Sequence, residues 1–252
     1  MIIHRPPFLI HHFATLGSTN DFLKAQIDAP EFTCAIADQQ TAGRGRRDRN
    51  WHSSPGDGLY LSVLLLPASS NRISLLSLMS AVAVAETLLE RSIAGVDIKW
   101  PNDVLVNGRK VCGILVESIG TGTGAPRVIA GIGINLNHQS FPEELTSTAT
   151  SLKIETGKQM VVDEIRDHLL GKLYEWYLHW QSGKERLILD RWQSLSSYSH
   201  GTWVTVTLDG EQVSGQTEGV NQDGALMLRL PDGSLKTILS GDVARLRKNF
   251  NG

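Results

Sequence analysis

The run Lys99-Trp100-Pro101-Asn102-Asp103-Val104-Leu105-Val106-Asn107-Gly108-Arg109-Lys110-Val111-Cys112-Gly113-Ile114-Leu115 reads as a strand end, a break and a β-hairpin. Asp97 to Trp100 is strand-like and stops at Pro101, which has no N–H to give a ladder. Asn107-Gly108 sits between two apolar runs and predicts a two-residue type I′ turn, which needs positive φ at both central positions. Downstream, Arg127 to Asn135 is a further strand carrying Gly131 and Gly133, and glycine in a strand often marks close approach of another backbone or a ligand. Upstream, Phe8 to Phe13, Cys34 to Ala37 and Leu59 to Leu66 read as strands. Ser18-Thr19-Asn20-Asp21 before Phe22 and Leu23 has the small polar residues of a helix start. Ile73 to Arg91 and Asp163 to Ser182 read as long helices. In the second, Ile165, Leu169, Leu173, Trp176 and Trp180 recur at helical spacing. A short helix is expected around Leu187, Ile188 and Trp192.

The pattern changes after Gly201. Trp203 to Leu208 alternates as a strand does, and Asp209-Gly210, Asp223-Gly224 and Asp232-Gly233 punctuate the runs that follow, as in a small antiparallel barrel. The expected division is therefore 1–199 and 200–252. The 252 residues carry 24 Lys and Arg against 26 Asp and Glu, a formal net charge of −2, with 41% hydrophobic residues. That is globular composition, without the uniform positive charge of a general nucleic-acid binder. The two cysteines, Cys34 and Cys112, exclude a disulfide framework and have no metal-like spacing, so a cytoplasmic setting is expected. No stretch reads as a membrane span or a secretory signal.

Three segments could carry chemistry. Gly43-Arg44-Gly45-Arg46-Arg47-Asp48-Arg49-Asn50-Trp51 places four arginines in a glycine-bearing loop, where backbone N–H groups can turn toward an anion and guanidinium groups can grip phosphate or carboxylate. A solvated loop or a nucleic-acid patch is the blander reading. Lys110, just after the predicted turn, is either an edge-strand charge or a cation reaching into a cleft, and Asp103 either makes a turn or orients a cation or amine. Ser18-Thr19-Asn20 either caps a helix or also binds a small polar ligand at its N-terminus, with Gln40 at a strand exit beside it.

In this set and order these segments, with Lys110 to Glu117 and Gly131-Ile132-Gly133-Ile134-Asn135, resemble the biotin protein ligases, and the Asp-Gly-rich end resembles that family's SH3-like domain. The resemblance runs from Thr15 to Leu246. It implies an α+β fold: a mixed or antiparallel sheet flanked by helices, like the catalytic domain of class II aminoacyl-tRNA synthetases, followed by a small SH3-like β-barrel. It implies that ATP and biotin give biotinyl-5′-AMP, from which biotin passes to a lysine of a biotin carboxyl carrier protein. The family's positions matching Ser18, Thr19, Asn20, Gln40 and Gly113 hold biotin's ureido end, and Arg44-Gly45-Arg46 belongs to a loop that orders over biotin and the adenylate. Trp51 and Asn135 match positions near the adenosine, with Lys99 and Asn102 on the ATP side. Lys110 matches the key catalytic cation, shared by biotin and ATP; Arg44 joins it, and Asp103 matches a position that handles the incoming lysine or the metal. Mg²⁺ is implied as the phosphate counter-ion, with no dedicated protein site.

Asp48 departs from the family's usual glycine and could pair with Arg47 or Arg49. Some family members carry an N-terminal DNA-binding domain and repress transcription. Here Ser18 follows only 17 residues, so a ligase without repressor activity is expected. The implied partners are biotin, ATP and the carrier protein, with neither nucleic acid nor membrane; homodimerisation stays open. Two alternatives remain: a lipoate or octanoate ligase of the same fold, and a non-catalytic RNA-binding module. Against the second, Gly201 to Leu230 offers one aromatic residue, Trp203, and one cation, Arg229.

Overall fold

The computed structural model describes residues 1–69, 71–120, 126–208 and 210–245, and of Asp48 the backbone only. In chain order the elements are β1 (Ile2–Arg5), β2 (Phe8–Leu16), α1 (Thr19–Ala25), β3 (Thr33–Gln40), β4 (Gly58–Leu65), α2 (Leu75–Glu90), β5 (Val96–Lys99), β6 (Asp103–Val106), β7 (Arg109–Ile119) and β8 (Arg127–Asn135). There follow α3 (Glu143–Thr146), α4 (Leu152–Thr156), α5 (Val162–Gln181), α6 (Glu185–Leu195), β9 (His200–Leu208), β10 (Glu211–Val220), β11 (Leu226–Arg229), β12 (Leu235–Ile238) and β13 (Asp242–Arg245).

Strands β1 to β8 form one sheet in the order β1-β2-β3-β4-β8-β7-β6-β5, and β9 to β13 a second in the order β12-β11-β10-β9-β13. In the first only β2 and β3 run parallel, so the sheet is mixed as expected; the second is antiparallel throughout. The first sheet sorts its residues by period two. On β4, Leu59, Leu61, Val63 and Leu65 join the large core with α2, α5 and α6, while Leu64 meets Leu23 of α1 on the opposite face. On β8, Val128, Ala130, Ile132 and Ile134 belong to the core, which leaves Gly131, Gly133 and Asn135 on the α1 face. Helix α2 is buried along most of its length, because it lies between the sheet and helices α5 and α6.

Asn107 and Gly108 both have positive φ, 50° and 78°, as a type I′ turn requires. Sequence reading missed β1, which pairs with β2 through Ile2 to Arg5, and the two short helices α3 and α4. Their periodic apolar signal is too short to detect. Asp209, one residue of the predicted Asp-Gly turns, lies outside the described residues.

Candidate active site

A cavity of about 470 Å³ opens on the α1 face of the first sheet, between that sheet, the arginine loop and the segment around α3. Every residue to which the resemblance gives a role at biotin or ATP lines it: Ser18, Thr19, Asn20, Gln40, Arg44, Gly45, Arg46, Trp51, Lys99, Asn102, Asp103, Lys110, Gly113 and Asn135. Residues far apart in the chain meet because β8, β7 and β4 are neighbours in the sheet and α1 packs across them.

The strand glycines form the floor. A Cβ on Gly133 would stand 2.6 Å from Trp51 Cε2, and one on Gly113 would stand 2.7 Å from Trp51 Cζ3. The Trp51 indole therefore lies directly on the sheet backbone, where any side chain would displace it. Lys110 Nζ sits 5.4 Å from the Trp51 ring centroid, within cation–π range.

A register shift between Val104 and Leu105 sets the direction of Lys110. Val104 faces Cys112 while Leu105 faces Lys110, so Val111 is an extra residue in β7. Plain alternation from Gly113 would send Lys110 to the opposite face. The bulge turns it to the cavity, where Lys110 Nζ pairs with Asp103 Oδ1 at 2.6 Å. Lys110 is also bonded through its backbone: its N–H donates to Thr148 O and its carbonyl accepts from Thr150 N–H, at 2.8 and 2.9 Å. Half-buried Lys99 stands nearby. Burial lowers its ammonium below the usual lysine value, with Asp103 opposing and Lys110 adding to the fall. Burial likewise lowers Arg46, whose Nη1 donates to Asn102 Oδ1 and to Gly241 O.

At the other end the groups are polar, and Ser18, Thr19 and Asn20 are buried. Ser18 N-caps α1, its Oγ accepting from Asp21 N–H. Gln40 Oε1 accepts from Thr19 N–H at 2.8 Å and Thr19 Oγ1 at 3.1 Å. On the Lys110 side, Asn135 is 4% exposed and donates from Nδ2 to the carbonyl of Thr150, whose N–H donates to the Lys110 carbonyl.

The arginine loop departs from the expected picture. Arg44 turns onto two carboxylates, with Nη2 2.5 Å from Asp21 Oδ1 and 3.2 Å from Glu117 Oε2. Its guanidinium is thus an ion-pair partner as well as a cavity wall. Arg49 holds Asp242 of the second sheet through both oxygens, at 2.6 and 2.7 Å, and Arg47 Nη1 stands 3.7 Å from the same carboxylate. The pairing suggested for Asp48 concerns a side chain outside the described residues. Asp242, which lines the cavity, and Asp21, Lys24, Ser62, Glu117 and Gly241, which stand behind its lining, were not proposed for the site from the sequence. A signal existed for part of this: Asn20 and Lys24 are four apart on one helix and share a face.

No group of three or more His, Cys, Asp or Glu among the described residues could hold a metal ion. No helix among them is long and apolar enough to cross a membrane.

Residues 13–135 match the model of the biotin/lipoate A/B protein ligase family, and residues 200–246 match the biotin protein ligase C terminal domain. A bifunctional ligase/repressor BirA of Bacillus spizizenii is 37% identical over 222 residues, covering 87% of this chain and 68% of that protein. A biotin–[acetyl-CoA-carboxylase] ligase of Mycobacterium tuberculosis is 33% identical over 243 residues, covering 93% and 88%. The solved biotin protein ligase of Aquifex aeolicus in complex with biotin and ATP superposes with a TM-score of 0.83 at 31% identity, covering 94% of this chain and 98% of that one. The first family model spans biotin and lipoate ligases alike, whereas the Mycobacterium tuberculosis and Aquifex aeolicus relatives are named for biotin. With that coverage and identity along nearly its whole length, the chain belongs to the biotin protein ligase family.

Proposed function

We propose that the chain activates biotin with ATP and transfers it to a lysine of a biotin carboxyl carrier protein. The observation that carries this reading is the polarity of the cavity. A buried row of hydroxyls and amides lies at one end, and Lys110, Lys99 and Arg46 converge at the other. Biotin's ureido head needs donors and an acceptor once buried, whereas the dithiolane of lipoate needs none, so the row of Ser18, Thr19, Asn20 and Gln40 favours biotin.

In the first step a biotin carboxylate oxygen attacks the α-phosphorus of ATP, and the bond to pyrophosphate breaks. The approach of two anions is the obstacle. Lys110 and Arg46 offset it from fixed positions in a half-buried site, where their charges count for more than in water. Trp51, lying flat on Gly113 and Gly133, offers a face to the adenosine. In the second step the carrier lysine's amine attacks the biotinyl carbonyl, the carbonyl–phosphate oxygen bond breaks and AMP leaves with the electron pair. Asp103, paired with Lys110, is placed to orient that amine. The arginine loop roofs the cavity and shields the adenylate from water.

Mg²⁺ is expected as the counter-ion of the triphosphate. The acidic lining residues, Asp103 and Asp242, already hold Lys110 and Arg49 and do not form a donor set for it.

Incubation with biotin, Mg-ATP and a biotin carboxyl carrier domain, followed by mass analysis of the carrier, tests the reading. The expected product gains one biotinyl group on a single lysine. Transfer with lipoate but not with biotin would overturn it.

A further inference from the structure

Asn20 is held from three strands. Ser62 of β4 is fully buried, and its Oγ lies 2.5 Å from Asn20 Oδ1 and 2.7 Å from Thr19 Oγ1. Glu117 of β7 accepts from Asn20 Nδ2 through Oε2 at 2.7 Å. On β8, Gly131 leaves the space the amide occupies, since a Cβ there would collide with Asn20 Oδ1.

These partners fix which way the amide faces. A carboxylate only accepts, so the NH₂ must point to Glu117, and the oxygen then meets the Ser62 hydroxyl. Asn20 therefore offers the cavity a donor, its other N–H, held only loosely by Leu115 O at 3.4 Å. Turning the amide over would set its oxygen against the Glu117 carboxylate.

Glu117 also accepts from Lys24 at 2.8 Å and from Arg44 at 3.2 and 3.3 Å. Burial works to raise its carboxyl, but Lys24, Asn20 and Arg44 outweigh that and hold it below the usual glutamate value. It stays charged at neutral pH. Neither Glu117 nor Ser62 lines the cavity, so both act through Asn20.

We propose that Glu117 and Ser62 are positioning residues that lock the Asn20 amide with its N–H toward the ureido oxygen of biotin. The same Glu117 carboxylate ties the arginine loop to this end through Arg44. The proposal rests on Asn20 contacting biotin.

A double-mutant cycle read by biotin titration calorimetry without ATP tests it. Glu117→Ala is expected to weaken biotin by about tenfold, the loss of one well-placed hydrogen bond. In an Asn20→Ala background the same change should add less than about twofold, because coupled groups do not add. In steady state the KM for biotin should rise while kcat at saturating biotin stays within about threefold, the mark of lost ground-state binding. Ser62→Ala, which leaves the ion cluster intact but also removes the bond to Thr19 Oγ1, should repeat the loss of affinity and the rise in KM, coupled in part to Asn20→Ala, and serves if Glu117→Ala fails to fold. Losses that add to Asn20→Ala, or unchanged affinity in either single variant, overturn the proposal and leave Asn20 as a biotin contact. Unchanged affinity in Asn20→Ala alone removes the placement of Asn20, and the proposal with it.

Discussion

At the scale of single residues the site depends on where a few charges point. Lys110 reaches the cavity through a one-residue bulge and pairs with Asp103 at 2.6 Å. Lys110→Ala should slow biotin-dependent pyrophosphate exchange by roughly a hundredfold or more, the scale of removing one preorganised charge stabiliser. Far-ultraviolet circular dichroism should stay as in the parent, because the Lys110 ammonium is not part of the core. Near-normal single-turnover adenylation in that variant would refute its role. The identity of Lys110 as a candidate was legible, since it follows a recognisable Asn-Gly turn. Its direction was not, because a bulge depends on how β6 and β7 register and leaves no mark in a single strand's pattern.

At the scale of elements, a largely buried carboxylate adds to the two backbone bonds of Lys110 that hold the β6–β7 hairpin to the chain beyond α3. Glu155 of α4 accepts from Arg109 at 2.6 Å and Thr150 at 2.5 Å through Oε1, and from Asn107 at 2.6 Å through Oε2. Burial works to raise its carboxyl, but these bonds outweigh it, so the folded value lies below the ordinary 4.5. A depressed folded value means that the stabilisation is fully present above the unfolded value. It is lost as pH falls from there through the folded value. Urea titrations between pH 6 and pH 3 should therefore show a fall in stability on the acid side that Glu155→Gln makes shallower; an equal slope in both proteins would exclude this contribution. Helix α4 was missed from sequence, and with it the anchor of the turn that presents Lys110. A helix of five residues has too little periodic signal to read.

At the scale of the whole molecule, the second sheet touches the site's roof. Trp100 Nε1, buried beside the first sheet, donates to Gly224 O in the turn between β10 and β11 at 2.9 Å. Trp100→Phe removes the donor, leaves that carbonyl unmatched and trims a buried ring, and should cost about 1–3 kcal/mol in urea unfolding. Asp242 at the start of β13 holds Arg49 of the arginine loop through both oxygens. Both side chains are largely exposed, at 45% and 61%, so Asp242→Ala should change the melting temperature little. Its expected effect is local: trypsin should cleave within Arg44 to Arg49 several-fold faster than in the parent. Unchanged cleavage would show that Asp242 does not restrain the loop.

The sequence by itself determined the β6–β7 hairpin, the long helices, the glycine-bearing strand β8 and the residues around the cavity. Each of these is written in local chemistry: a turn with positive φ, a helical period, an alternation that leaves Gly131 and Gly133 on one face. Only the tertiary structure decided which way the polar groups turn. Arg44 faces Asp21 and Glu117, Asn20 is locked between Ser62 and Glu117, and Arg49 reaches the second sheet. The physical reason is that a hydrogen bond or ion pair is specified by both partners. Here those partners lie tens to nearly two hundred residues apart in the chain and meet only when the sheet is assembled.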